Sequence, residues 1–176
     1  MARSKLKIAN AADDAATGGY VLDEQVGFLM RIATQRHTSI FTANMIDGLT
    51  QTQFAALAKL YEVGPSSQNQ LGRLIYLDAA TIKGVVDRLS ARGLVTALSD
   101  PTDRRRRAVT LTEQGRAATE AAMKVASKIT ALTLTPLTAT EQRTIATLLK
   151  KIGKFLVPSF SRKAARSLSP WGRGLG

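Results

Sequence analysis

The chain has 176 residues, 44% of them hydrophobic, and sets 25 Lys plus Arg against 13 Asp plus Glu for a formal net charge of +12. That length suits one structural unit or two compact lobes rather than two large domains, and the charge points to polyanions or small anions as partners. With no cysteine and a single histidine, disulfides, thiolate chemistry and thiol redox sensing are excluded, and neither a metal site nor a cofactor is expected.

No run of about 18 apolar residues offers a membrane span, and the first residues lack the apolar stretch of a signal peptide, so the expected location is the cytoplasm, away from membranes. Residues 1–20 mix Ala, Gly, Asp and Lys without periodicity and read as a flexible N-terminal arm. From Leu22 the positions Leu22, Val26, Leu29, Ala33, His37 and Ile40 advance by threes and fours. This spacing predicts one long helix to about Met45.

Thr50 with Gln53 three residues on predicts a capping box, Leu49 stapling onto Phe54, and a helix ending near Val63 before Gly64 and Pro65. Ser67 with Gln70 starts a short helix through Leu71 and Leu74 to Ile75. After a turn at Tyr76 and Leu77, Asp78 caps a third helix that buries Ile82, Val85, Val86 and Leu89 and stops at Gly93. Two short helices joined by a tight turn give a helix-turn-helix. LVTALS (94–99) and RRAVTL (106–111) then read as strands joined by DPTDRR, which adds a wing.

Thr112 caps the next helix, with apolar positions at Ala118, Ala121, Val125, Ile129 and Leu132. Thr138 with Glu141 opens the last, carrying Ile145, Leu148, Leu149, Ile152 and Leu156. The fold class is therefore mainly α: a winged helix-turn-helix over 49–112, bracketed by helical regions at 21–48 and 113–157. A tail over 158–176 holds Arg162, Lys163, Arg166 and Arg173 and no acidic residue; it is either a basic arm or a frayed end.

Opposite its apolar face, the helix after Asp78 presents Ala80, Gly84, Asp87 and Ala91, flanked by Thr81, Lys83 and Arg88. A glycine inside a helix costs about 1 kcal/mol against alanine. Gly84 is either tolerated on a solvated face or placed for close approach to DNA in the major groove. Ser67 and Gln68, at the start of the preceding helix, complete the DNA-facing set. Asp103, Arg104, Arg105 and Arg106 at the hairpin tip read as a charged loop or as a minor-groove probe, with Arg105 entering the groove and its neighbours nearer phosphates. Asp103 would orient one of them through a carboxylate-guanidinium pair.

His37 is either a satisfied core histidine or part of a binding wall with Met30, Arg36, Ile40 and Phe41, faced by Phe54 and Tyr61. Cations and aromatics around one apolar face suit an amphipathic anion with an aromatic body. No phosphate-cradling glycine loop, hydrolytic triad or marked carboxylate pair occurs, so no enzymatic activity is expected.

LTQTQFAALAKL, QLGRLIYLDAATIKGVVDRLSARGLV and DPTDRRRRAVTLTEQG together resemble the MarR family of winged helix-turn-helix regulators, over roughly residues 22–157. The resemblance implies a homodimer whose N- and C-terminal helices interlock in a dimerisation lobe, and two winged lobes reading a pseudo-palindrome in double-stranded DNA. It implies a ligand-responsive repressor, with an effector between the lobes that usually releases DNA. LDEQVGFLMRIATQRHTSIF is similar to the first helix of members controlling aromatic-acid degradation, so the implied effector is a small aromatic acid or its CoA thioester. The competing reading is an architectural protein that binds DNA through charge alone.

Overall fold

In the computed structural model, which describes residues 19–99 and 107–153, the first long helix begins later than its apolar spacing predicts. A 3-10 turn at Leu22–Glu24 comes first, and α1 runs Val26–Asn44. Gln25 breaks the two apart: its backbone is extended, and its side-chain amide donates to the Val21 carbonyl (3.1 Å). Of the α1 side chains only Phe41 is buried, whereas Val26, Leu29, Met30 and Ile32 are exposed. The stripe is apolar, as its spacing predicts, but the single chain does not cover it.

A second 3-10 turn, Ile46–Gly48, leads to α2 (Gln51–Val63), and here the capping box forms as expected. Thr50 Oγ1 accepts from Gln53 N–H (3.3 Å) while Gln53 Oε1 accepts from Thr50 N–H (3.0 Å). Ser67 caps α3 (Gln68–Leu74) and Asp78 caps α4 (Ala79–Ala91), each accepting the N–H three residues on. Gly93 follows α4 at φ 69°, the left-handed conformation that a side chain resists. The buried residues of α4 are Ile82, Val85, Val86 and Leu89, the four its periodicity names.

The hairpin pairs β2 (Val95–Ser99) with β3 (Arg107–Leu111), in register from Val95↔Leu111 to Ser99↔Arg107. A third strand was not anticipated: β1, Ser66–Ser67, adds to the far side of β3 through Ser66↔Val109 and Ser67↔Ala108, giving the order β1-β3-β2. The core lies where α2, α3, α4 and this sheet meet, and holds Leu57, Leu60, Leu71, Ile82, Val85, Leu89, Leu94 and Val109.

Helix α5 (Glu113–Leu134) starts as expected, with Thr112 Oγ1 accepting from Gly115 N–H at 2.9 Å, and of its expected stripe Ile129 is buried and Ala118 and Val125 pack against the core, whereas Ala121 and Leu132 are exposed. Gly115, Thr119 and Ala122 are buried as well. Thr119 tolerates burial because its hydroxyl donates to the Gly115 carbonyl of its own helix (2.6 Å). The chain divides into two compact units at Thr133/Leu134. In the second, Thr138 and Glu141 form the expected box at the start of α6 (Ala139–Gly153), whose Leu148, Leu149 and Ile152 are exposed.

The N-terminal arm up to residue 18, the wing tip with Asp103, Arg104, Arg105 and Arg106, and the basic tail lie outside the described residues. None of the described helices is long and apolar enough to cross a membrane.

Candidate nucleic-acid interface and ligand cavity

Because α4 buries one face completely, its opposite face is fixed outward, and the residues there are those the wheel assigns. Ala80, Thr81, Lys83, Asp87 and Arg88 are exposed and Gly84 is half-buried. Thr81 anchors the helix start twice, its N–H reaching Asp78 Oδ1 (2.8 Å) and its hydroxyl Asp78 Oδ2 (2.9 Å). One turn on, Lys83 Nζ pairs with Asp87 Oδ2 at 2.6 Å. Both are well exposed, so the pair is worth only about 0.3–0.5 kcal/mol and a phosphate can replace the carboxylate.

Among the described residues nothing gives Gly84 a packing reason. A Cβ there would meet only the tip of the Arg88 guanidinium, at 3.2 Å from Nη1. The small side of α4 therefore opens outward, between a lysine already paired and an arginine lying across it. Ser67 is exposed with its hydroxyl engaged in capping α3, and Gln68 is half-buried beside it. The hairpin brings residues 99 and 107 together in register; Asp103, Arg104, Arg105 and Arg106 lie outside the described residues.

A cavity of about 390 Å³ opens where the end of α1 meets the start of α2, lined by Thr38, Phe41, Thr42, Met45, Gly48, Leu49, Thr50, Gln51 and Thr52. Its floor is apolar and its rim carries hydroxyls and an amide. Gln51 Nε2 donates to Thr38 Oγ1 (3.4 Å), and the hydroxyls of Thr50 and Thr52 lie 3.2 Å apart. The capping box takes up the amides of Thr50 and Gln53. Those of Gln51 and Thr52 stand in the first turn, where no carbonyl one turn back receives them and the helix dipole favours an anion.

The aromatic residues expected at a binding wall are partly brought together. His37, Phe41 and Phe54 form a chain of tilted rings, with centroids 6.2 and 6.1 Å apart, and Ile40 packs against the same core. His37 Nδ1 lies 3.0 Å from Thr133 Oγ1, whose own proton goes to the Ile129 carbonyl. Nδ1 is therefore the donor of this pair.

Of the seven residues expected at the binding wall, Phe41 lines the cavity and Met30, Arg36, His37, Ile40, Phe54 and Tyr61 do not. Met30 and Arg36 are exposed on α1. Tyr61 donates its hydroxyl to Glu120 (2.9 Å) under the Arg116 guanidinium, roughly 20 Å along α5 from Thr133 at the rise of a helix. Sequence reasoning missed Thr38, Thr42 and Met45. The signal was present: Thr38 and Thr42 stand four apart, and Phe41 and Met45 likewise, on adjoining strips of one helix face.

Among the described residues no group of three or more His, Asp or Glu is placed to hold a metal ion.

The MarR family model matches residues 49–106, the winged unit up to the arginine run. The HTH-type transcriptional repressor NicR of Pseudomonas putida is 46% identical over 134 residues, 76% of this chain and 85% of that protein. A probable transcriptional regulator from Pseudomonas aeruginosa has a similar structure, with a TM-score of 0.72 at 48% identity over 75% of this chain and 99% of that one. So has BpsR of Bordetella bronchiseptica, whose DNA binding is regulated by 6-hydroxynicotinic acid, with a TM-score of 0.73 at 41% identity over 77% of this chain and 98% of that one.

Proposed function

The chain belongs to the MarR family of DNA-binding transcriptional regulators, and from that premise we propose that it is a homodimeric repressor which a small aromatic acid releases from a pseudo-palindromic operator. The observation that carries the DNA-binding geometry is the outward face of α4. Gly84 forgoes the side chain a helix prefers, with nothing among the described residues to require it. On this reading Ala80, Thr81, Lys83, Gly84, Asp87 and Arg88 face the major groove with Ser67 and Gln68 beside them. Arg105 enters the minor groove, and Arg104 and Arg106 bind phosphates near Asp103.

Two exposed apolar surfaces support the dimer. Val21, Leu22, Val26, Leu29, Met30 and Ile32 line the N-terminal helical segment, and Leu148, Leu149 and Ile152 line α6. Apolar groups in such runs are rarely left in water by a protein that works alone. Two-fold symmetry would set the paired α4 helices about 34 Å apart, one turn of DNA.

For the effector, the cavity at the α1–α2 junction offers a floor of Phe41, Met45 and Leu49 for a ring, and the first amides of α2 for a carboxylate. At about 390 Å³ it holds a single-ring acid; a CoA thioester would have to leave most of its length outside. The regulation of BpsR by 6-hydroxynicotinic acid supports a hydroxylated ring acid. Relatives that are transcriptional regulators speak against an enzyme.

The test is fluorescence anisotropy with DNA from upstream of the protein's own and neighbouring genes against a random duplex, with 6-hydroxynicotinic acid, related ring acids and benzoyl-CoA added in turn. Selective binding that a free acid abolishes is the expected result. Equal affinity for both duplexes, indifferent to every addition, would establish the architectural reading instead. Release by the thioester alone would move the effector to CoA esters. Light scattering on the eluted protein checks the dimer.

A further inference from the structure

The connection between α1 and α2 is left-handed at two consecutive residues, Asp47 (φ 55°, ψ 19°) and Gly48 (φ 59°). Gly48 adopts that conformation freely, but Asp47 does so against its own Cβ. The Asp47 carbonyl accepts a hydrogen bond from Arg92 Nη2 at 2.7 Å, across 45 residues of sequence. Arg92 is the residue on which α4 ends. The same end is tied a second time, where Thr112 Oγ1 donates to the Gly93 carbonyl (2.7 Å).

The turn separates two cavities. On one side Met45, Gly48 and Leu49 line the cavity assigned above to the effector. On the other, Asp47 and Arg92 line a second of about 520 Å³ with Leu94, Gln114, Ala117 and Ala118. The Asp47 carbonyl and the Gly48 N–H belong to one rigid peptide plane. A molecule that displaces Gly48 from the first cavity therefore turns the carbonyl that holds Arg92 in the second.

We propose that Arg92 is the positioning residue through which occupancy of the α1–α2 cavity reaches α4, with the Asp47–Gly48 peptide as the moving part. The proposal rests on the reading of that cavity as the effector site. It requires that the turn have two arrangements with different affinities for effector, and that Arg92 link each to an orientation of the DNA-facing helix. The space around Arg92 in the second cavity leaves its guanidinium room to follow.

The experiment compares the full-length wild type with Arg92→Gln and Arg92→Lys, using 6-hydroxynicotinic acid as probe. Three quantities are read: affinity for the acid without DNA, affinity for operator without acid, and the ratio of operator affinities with and without saturating acid. Arg92→Gln is expected to bind the acid within twofold of wild type while that ratio falls at least fivefold towards one. Arg92→Lys, which keeps one donor, should fall between.

A ratio in Arg92→Gln within twofold of wild type overturns the proposal. Should the variant fail to fold, amide exchange on the wild type decides: the acid must alter exchange at residues 92–94 as well as at 48–49, and a change confined to 48–49 rejects the link. A wild-type ratio of one with every ring acid overturns the effector reading itself, and the link with it.

Discussion

Gly115 in the first turn of α5 lies against the Leu94 carbonyl so closely that a Cβ on Gly115 would fall inside the van der Waals surface of that oxygen and of the carbonyl carbon behind it. The contact is backbone to backbone and joins the start of α5 to the residue just before β2. Thr112 N–H donates to the same Leu94 carbonyl (3.1 Å), so neither segment can withdraw without losing that bond. Gly115→Ala must therefore separate two well-packed elements. Overpacking of this kind costs about 1–3 kcal/mol, and the expected result is a fall in the urea midpoint with an unchanged slope. A midpoint equal to wild type would mean that the two segments part more easily than their packing implies.

Gly84 predicts the reverse. A methyl group there meets only the flexible end of Arg88, so Gly84→Ala should stabilise the fold by up to about 1 kcal/mol through helix propensity. Operator affinity should nonetheless fall, because the methyl occupies the space left for the groove. Thermal unfolding and anisotropy on one sample separate the two effects. Higher stability with undiminished operator binding would remove Gly84 from the interface.

These two glycines show what a sequence gives up easily. Capped helices were legible because a Ser, Thr or Asp with a Gln or Glu three residues on is a local signal, and Thr50–Gln53 and Thr138–Glu141 both closed as expected. The α4 face was legible because four branched or long apolar residues define a helix face without ambiguity. Along α5 most of the buried residues are small, Gly115, Thr119 and Ala122, and small residues do not distinguish position 121 from 122. A buried threonine bonded to its own helix completes the disguise.

Strand β1 escaped because two serines carry no strand signal; they become a strand only by pairing with β3. The cavity at the α1–α2 junction was barely legible. Of the residues expected at a binding wall only Phe41, identified from its aromatic character, lines it, whereas Thr38, Thr42 and Thr50 look like solvated polar residues until α1 and α2 are brought together. The left-handed turn at Asp47–Gly48 had its dipeptide signature, but nothing local pairs it with Arg92.

The cap of α6 gives a pH dependence whose sign is fixed by one carboxylate. Glu141 Oε2 accepts from the Thr138 N–H (2.8 Å) and from its hydroxyl (2.7 Å). These bonds, the backbone one first, hold the Glu141 carboxyl below its ordinary value of 4.5. A carboxylate depressed in the folded state contributes stability that is fully present above the unfolded value and lost as pH falls through the folded one. Protection of the first α6 amides, exchange measured relative to its intrinsic rate at each pH, should be steady above about pH 5.5, a unit over the ordinary value, and should fall as pH drops below 4.5. Glu141→Gln, which can form the box without ionising, should remove that fall; a fall that persists in the variant would assign it to another group.

The arginine run closes on a prediction about salt rather than affinity alone. Each phosphate neutralised by a protein cation adds about 0.9 to the slope of log affinity against log salt. If Arg105 sits in the narrow minor groove, where negative potential is enhanced, Arg105→Ala should lower operator affinity, reduce that slope by about 1 and also reduce discrimination against sequences with a wide groove. Arg104→Ala, nearer a phosphate, should lower the slope equally but weaken all duplexes alike. The comparison is made by anisotropy from 50 to 200 mM salt, on an operator and on a variant whose flanks are changed to G·C. Identical losses for the two arginines on both duplexes would show that the wing supplies charge without reading shape, and selectivity would then rest on the α4 face around Gly84.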